Sequence, residues 1–119
     1  MPDKTPQEIE KELLELPYKI WKFGQDFITA EKSYQLLEES AAVEFDVNFL
    51  KSKANNPKKT IKEIETEARS ASQEARLKAI EAESIYRAAK LKMEACRDKL
   101  SALQSVVKLR VAEIQSMNA

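Results

Sequence analysis

The stretch Asn55-Asn56-Pro57-Lys58-Lys59-Thr60-Ile61-Lys62-Glu63 decides the fold of this chain. Asparagine and proline favour leaving a helix and forming a turn. Thr60 and Glu63 have the spacing of a capping box, in which each side chain accepts a hydrogen bond from an otherwise unpaired amide of the first helical turn. The stretch therefore predicts a turn over residues 55–59 and a helix that begins at residue 61.

Beyond the turn the sequence contains neither proline nor glycine, so we predict one long helix over residues 61–117. Its apolar residues recur every three or four positions, a repeat between 3.5 and 3.6 residues per turn that is typical of coiled-coil-like packing. The stripe comprises Ile64, Ala68, Ala71, Ala75, Ala79, Ala82, Tyr86, Ala89, Met93, Cys96, Leu100, Leu103, Val107, Val111 and Ile114.

Before the turn, Pro17 divides the sequence into two predicted helices. Thr5-Pro6-Gln7-Glu8 combines a capping box with a proline at the first helical position, which predicts a short helix over residues 6–16. An interior proline breaks or kinks a helix, so we expect a hinge at Pro17. A second helix over residues 18–54 follows, with the aromatic-rich stripe Ile20, Phe27, Tyr34, Leu37, Ala41, Phe45 and Phe49.

The two stripes complement each other in size. If the chain reverses near residue 57, residue i faces a residue near 114 − i, and the aromatic stripe packs on the alanine-rich stretch between Ile64 and Arg87. We therefore predict an all-α fold, a long antiparallel helical hairpin with coiled-coil-like packing and a short extra N-terminal helix, forming a single domain over residues 1–119. The single glycine agrees with this, because sheet proteins need more turns.

The C-terminal part of the long helix has a wider apolar surface than one short helix can cover. Such patches mark association surfaces, so we predict a homodimer or higher oligomer. Trp21 and Phe23 are candidates for the same role, although a first helix folded back over them is the interpretation we favour. The predicted interface comprises Leu100, Leu103, Val106, Val107, Leu109, Val111, Ile114, Trp21 and Phe23.

Composition excludes several classes of function. The chain has no histidine and one cysteine, so histidine-based nucleophile systems and zinc clusters cannot be assembled. One glycine excludes the glycine-rich phosphate loops. We predict no catalytic residue, cofactor or metal, and a non-enzymatic protein. Since no segment approaches the ~20 apolar residues of a membrane span, we expect a cytoplasmic protein without a membrane partner, with Cys96 as a buried structural thiol.

Charge is distributed unevenly, although 20 basic and 20 acidic residues cancel. Residues 47–62 contain five lysines and no acid, so the hairpin tip is a candidate nucleic-acid contact formed by Lys51, Lys53, Lys58, Lys59 and Lys62. A second basic stretch lies over residues 87–110. Ion pairing with Glu8, Glu10, Glu12 and Glu15, predicted to lie near residues 98–108, is an alternative explanation for its charge.

The segments Ala82-Glu83-Ser84-Ile85-Tyr86-Arg87-Ala88-Ala89-Lys90 and Arg97-Asp98-Lys99-Leu100-Ser101-Ala102-Leu103-Gln104-Ser105 resemble the C-terminal helix of small bacteriophage-encoded helical accessory proteins. The resemblance covers the C-terminal third only. It implies a role beside phage DNA replication or recombination, or interference with a host process, and assigns no functional residue. We expect an adaptor that binds another protein; the alternative is a nucleic-acid-binding accessory protein that uses the lysine-rich tip.

Overall fold

Three α-helices form the described part of the chain. The computed structural model describes residues 4–118 and places α1 at Pro6–Asn55, α2 at Ile61–Ala71 and α3 at Gln73–Met117, with no strand among these residues. The all-α prediction is confirmed. The helix start predicted at residue 61 agrees with the structure, and the loop before it covers residues 56–60.

Both predicted capping boxes hold hydrogen bonds at helix starts. The Thr5 amide donates to Glu8 Oε2 at 3.1 Å, and the Glu8 amide donates to Thr5 Oγ1 at 3.2 Å. At the start of α2, the Glu63 amide donates to Thr60 Oγ1 at 3.2 Å. These bonds satisfy amides that have no partner inside the helix and therefore define where α1 and α2 begin.

The break predicted at Pro17 is wrong, because α1 continues through this residue. An interior proline costs ~3 kcal/mol through its missing amide hydrogen and its ring. Leu16, however, is only 4% exposed and Ile20 is half-buried. Burying such a side chain contributes roughly 1.5–3 kcal/mol, so packing on both sides of Pro17 offsets the lost hydrogen bond. The predicted helices over residues 6–16 and 18–54 are thus one helix.

The single helix predicted over residues 61–117 is also wrong, since Ser72 separates α2 from α3. Its φ of −99° and ψ of 6° depart from helical values. The hydrogen-bond ladder nevertheless passes through this residue, because the Ser72 amide donates to the Ala68 carbonyl and the Arg76 amide donates to the Ser72 carbonyl. The buried Ser72 hydroxyl accepts a hydrogen bond from Asn48 Nδ2 at 3.0 Å. The irregularity is therefore local and has a polar partner on α1.

The chain divides into two compact units. Unit 1 comprises Met1–Phe27 and Ala88–Ala119, and unit 2 comprises Ile28–Arg87. The core of unit 1 is formed by Ile9, Leu16 and Leu103, against which Leu13, Cys96, Leu100 and Val107 pack. The buried apolar residues of unit 2 are Ile64, Ala68, Ala79 and Ala82.

Most positions of the predicted stripes are buried or half-buried. The seven apolar positions predicted for α1, from Ile20 to Phe49, are all half-buried. Of the stripe predicted from Ile64 to Ile114, Ala71, Val111 and Ile114 are exposed. Ser72 is buried in place of Ala71, and the helix irregularity at Ser72 accounts for this change.

Within each unit, the facing segments run antiparallel, but the predicted register holds only approximately. In unit 1, Glu12 pairs with Lys99 and Gly24 packs on Met93, close to the expected residues 102 and 90. In unit 2, Tyr34 stacks on Tyr86, where residue 80 was expected. The loop extends to Thr60, so the turn is centred later in the chain than predicted. Two facing residues lie at equal sequence distances from the turn centre. Moving that centre by one residue therefore moves the facing partner by two.

The Tyr34–Tyr86 contact places the large residue of the alanine-rich stretch, Tyr86, against the aromatic stripe. The two rings are stacked at 5.6 Å between centroids, a geometry that favours aromatic pairs. Burial raises the pKa of the Tyr34 hydroxyl, and its hydrogen bond with Glu38 adds to this effect. Alanines do lie inside unit 2 at positions 68, 79 and 82, so size complementarity is present but not continuous.

Glu67 links the three parts of the chain that meet at the turn. Its carboxylate, on α2, accepts hydrogen bonds from the Lys59 ammonium in the loop and from the Ser52 hydroxyl on α1. The bond from Lys59 and then the bond from Ser52 lower the pKa of Glu67 below its ordinary value. The ionised carboxylate therefore favours the closed turn.

We expect Leu103→Ala to destabilise the protein by about 2–4 kcal/mol, because it leaves a cavity between α3 and the buried Ile9 and Leu16. Chemical denaturation followed by circular dichroism measures this loss. Leu109→Ala is the matched control, since Leu109 is exposed, and it should change stability by less than about 0.5 kcal/mol. Equal effects of the two substitutions would contradict this assignment of the core.

Glu67 should make the turn sensitive to acid. Because its pKa in the folded state lies below its ordinary value, its contribution is present above the ordinary pKa and is lost as the pH falls through the folded-state pKa. Wild type should exceed Glu67→Gln in unfolding free energy at pH 7, and the difference should shrink as the pH is lowered through the folded-state pKa. Urea titrations across this range measure it. Lys59→Gln should reproduce part of the loss, and a difference that grew on acidification would refute the role given to Glu67.

Candidate functional site

A second apolar stripe follows the exposed side of α1. Its members are Leu14, Tyr18, Trp21, Ile28, Leu36, Val43, Val47 and Leu50, and each is exposed. At 100° per residue these side chains lie about half a turn around the helix from the buried and half-buried positions. We call them the outer stripe of α1. Leu36, for example, is 68% exposed, so α1 presents apolar surface to solvent as well as to its helical neighbour.

A similar stripe lies on α3. Leu77 and Ile80 belong to unit 2, whereas Leu91, Val106 and Leu109 belong to unit 1, and all five are exposed. A surface helix normally has a single apolar face. Exposed apolar residues at helical spacing are therefore the main surface feature of both helices. The outer stripe of α1 was not predicted from the sequence, although its residues recur at the same spacing as those of the buried stripe.

Trp21 lies on the outer stripe of α1 and is 62% exposed. The expectation that a first helix folds back over it is wrong, because α1 is continuous. Its ring stacks on that of Tyr18 at 6.2 Å between centroids. Phe23 is half-buried, with Lys92 Nζ 5.4 Å from its ring centroid. Trp21 thus remains a candidate binding residue, whereas Phe23 is occupied within unit 1.

The predicted C-terminal interface is only partly available. Leu103 is 7% exposed and belongs to the core of unit 1, and Leu100 and Val107 pack against that core. These three residues were therefore assigned to the wrong surface, because α1 continues to Pro6 and covers them. Val106, Leu109, Val111 and Ile114 are exposed, as the prediction requires.

An open groove lies between α1 and α3 in unit 1. It has a volume of about 520 Å³ and an apolar lining that includes Ile9, Leu13, Val107, Val111 and Ile114. Glu10 and Arg110 are its charged lining residues. Beside it, Glu12 Oε1 lies 2.7 Å from Lys4 Nζ and 3.3 Å from Lys99 Nζ.

Those contacts bear on the ion pairing predicted between the acidic start of α1 and the basic stretch of α3. The hydrogen bond from Lys4, followed by the one from Lys99, lowers the pKa of Glu12. Glu12 therefore pairs with α3 as expected, whereas Glu15 pairs with Lys11 of its own helix at 4.0 Å. One member of the predicted acidic set thus neutralises charge on α3.

The five lysines predicted to form the basic tip do not share one environment. Lys59 is half-buried and pairs with Glu67, so its charge is neutralised within the turn. Lys51, Lys53, Lys58 and Lys62 are exposed. The tip therefore offers four lysines to solvent, and Lys59 has a structural contact.

Other kinds of site have no counterpart in the described residues. Among residues 4–118, no group of three or more Cys, Asp or Glu side chains is placed to hold a metal ion. In the same part of the chain, no helix is long and apolar enough to cross a membrane. Comparison of the chain with protein-family models, curated proteins and solved structures gives no match.

Proposed function

We propose that this protein is a non-enzymatic helical adaptor that binds an amphipathic helix of another protein. The observation that supports the proposal is the C-terminal part of the outer stripe of α1, which lies in unit 2 and comprises Leu36, Val43, Val47 and Leu50. From Leu36 to Leu50 it extends about 21 Å at 1.5 Å per residue, which is the length of a short helical ligand. Helices recognised in this way place anchors at spacings of three, four and seven residues.

Covering the stripe with one more helix would remove four aliphatic side chains from water. Such burial is the main favourable contribution to most protein association, and it is opposed by the loss of translational and rotational freedom. The expected affinity is therefore moderate and reversible, which suits an adaptor.

Charge restricts the chemistry of the partner. Residues 36–50 contain Glu38, Glu39, Glu44 and Asp46 and no lysine or arginine. A ligand helix with basic residues beside its apolar face would be attracted, while one with acidic flanks would be repelled. The proposed partner is thus a basic amphipathic helix. A role beside phage replication or recombination proteins stays a prediction from the sequence resemblance.

A labelled synthetic helix with leucines at i, i+3, i+4 and i+7 and lysine flanks should bind the full-length chain in a fluorescence anisotropy titration. Replacing Val43 and Leu50 by Glu should raise its dissociation constant by at least about tenfold. Ile85→Gln, an exposed aliphatic position on α3 of unit 2, is the matched control and should leave binding unchanged. If a scrambled peptide of the same composition bound equally well, the proposal would fail.

A nucleic-acid-binding role is the second candidate, and the four exposed lysines of the tip favour it. Their segment, residues 47–62, contains no acidic residue, and Glu67 from the next segment pairs with Lys59 rather than with these four. Lysines that contact phosphates release condensed counterions, which makes such binding strongly dependent on salt. Aromatic side chains that stack bases are lacking in this segment apart from the half-buried Phe49, so any binding there should depend on the phosphates rather than on base sequence.

Replacing Lys51, Lys53, Lys58 and Lys62 by Gln should abolish retention of a 20-nucleotide DNA at 50 mM salt if the tip binds phosphates. Lys59 is left intact because its loss would open the turn. Gel-shift titrations with single-stranded and duplex DNA measure the effect. The control replaces four exposed lysines outside the tip, Lys19, Lys32, Lys90 and Lys108, and should retain binding. Unchanged retention by the tip variant would discard this candidate.

A further inference from the structure

We infer that the Glu67 carboxylate is an internal competitor for phosphate at the lysine-rich tip, and that it keeps Lys59 from contributing to the binding of nucleic acid. This inference rests on the second candidate function, in which the tip binds nucleic acid through its phosphates. It deepens that candidate by naming a residue that limits the strength of the binding.

Two donors from different parts of the chain converge on Glu67. The Lys59 ammonium in the loop donates to Oε1, and the Ser52 hydroxyl on α1 donates to Oε2. Lysine ammonium and serine hydroxyl groups are also common donors to the phosphate oxygens of nucleic acids. The carboxylate therefore holds a pair of donors that a phosphate could otherwise use.

Solvent has access to the contact between Lys59 and Glu67. The side chain of Lys59 is 33% exposed and that of Glu67 is 44% exposed. An open hollow of about 650 Å³ adjoins the pair, and Lys62 also lines it. A phosphate in this hollow would thus meet Lys62 at once, but it would meet Lys59 as a cation already paired with a carboxylate.

Pairing with Glu67 lowers the number of lysines that attract a phosphate backbone. Counterion release increases with the number of phosphates that cations neutralise, and each such contact on duplex DNA changes the slope of log affinity against log salt concentration by about 0.9. A lysine whose charge is neutralised by a carboxylate adds little to this number. The tip therefore acts through its four exposed lysines while Glu67 is ionised, and Lys59 becomes a fifth when position 67 is neutral.

The test uses the full-length chain and a DNA duplex of 20 base pairs in gel-shift titrations at 50–200 mM salt. Glutamine at position 67 keeps an acceptor oxygen but carries no charge. Glu67→Gln should therefore bind at least about threefold more tightly than wild type at 50 mM salt, with a salt slope steeper by about 0.9. Combining Glu67→Gln with Lys59→Gln should return the slope to that of wild type, because no lysine is released.

The single variant Lys59→Gln separates this effect from a change in the turn. It breaks the same contact as the combined variant does but releases no cation, so its slope should not exceed that of wild type. Circular dichroism of every variant verifies that the helices are retained. A combined variant with the steeper slope of Glu67→Gln would overturn the inference, since the gain would then not come from Lys59.

Glu63→Gln is the matched control for the loss of a negative charge. Glu63 is exposed and lines the same hollow, and it forms no ion pair with a lysine among residues 4–118. Its replacement should leave the salt slope unchanged. An equal steepening by Glu63→Gln and Glu67→Gln would overturn the inference, because the loss of any nearby acid would then suffice.

The same titrations distinguish this inference from the candidate function on which it rests. Wild type that binds DNA, together with Glu67→Gln of unchanged affinity and slope, would overturn the inference and retain the candidate. Absence of binding by wild type and by every variant would refute both. Binding by Glu67→Gln alone would support both, since the tip would then bind phosphates only after the internal carboxylate is neutralised.

Discussion

The contact between the apolar stripes of facing helices is the interaction on which the rest of the structure depends. Helices in proteins owe most of their stability to the packing of an apolar face rather than to their own hydrogen bonds. In unit 1 that packing is centred on Ile9, Leu16 and Leu103. The same burial holds Pro17 inside α1, where a proline would otherwise end the helix.

This contact uses only one side of each helix, and the surface that remains is the basis of the proposed function. A pair of helices buries one stripe per helix, so a second apolar stripe cannot be satisfied within the pair. Val43 and Leu50 on α1, and Leu77 and Leu91 on α3, are exposed for this reason. Large exposed apolar surfaces often mark interaction sites, which is why the adaptor function is proposed for the outer stripe of α1.

Much of the local structure was predictable from sequence, because it depends on a few neighbouring residues. The capping boxes at Thr5 and Thr60 define helix starts through hydrogen bonds that span only three residues. The buried stripe of α2 and α3 was likewise predictable from its spacing, except at Ala71, Val111 and Ile114, which are exposed. These features need no knowledge of what lies across the interface.

Features that depend on tertiary packing were not predictable. Continuity through Pro17 depends on the burial of Leu16, and the partner of Tyr34 depends on where the turn is centred. The outer stripe of α1 was not predicted for a related reason. An apolar stripe is recognised in a sequence by its contrast with a polar face. A helix with apolar residues on two sides has no distinct polar face, so that contrast is weak.

Polar contacts then determine how the stripes are aligned. Apolar side chains pack with little directional preference, so a slip by one helical turn would preserve much of the buried area. Asn48 and Ser72 resist that slip in unit 2, because a buried hydroxyl without its partner would cost free energy. Glu67 has the same effect at the turn, where its carboxylate contacts both Ser52 and Lys59. The apolar contacts thus supply most of the stability, and a few polar contacts specify the register.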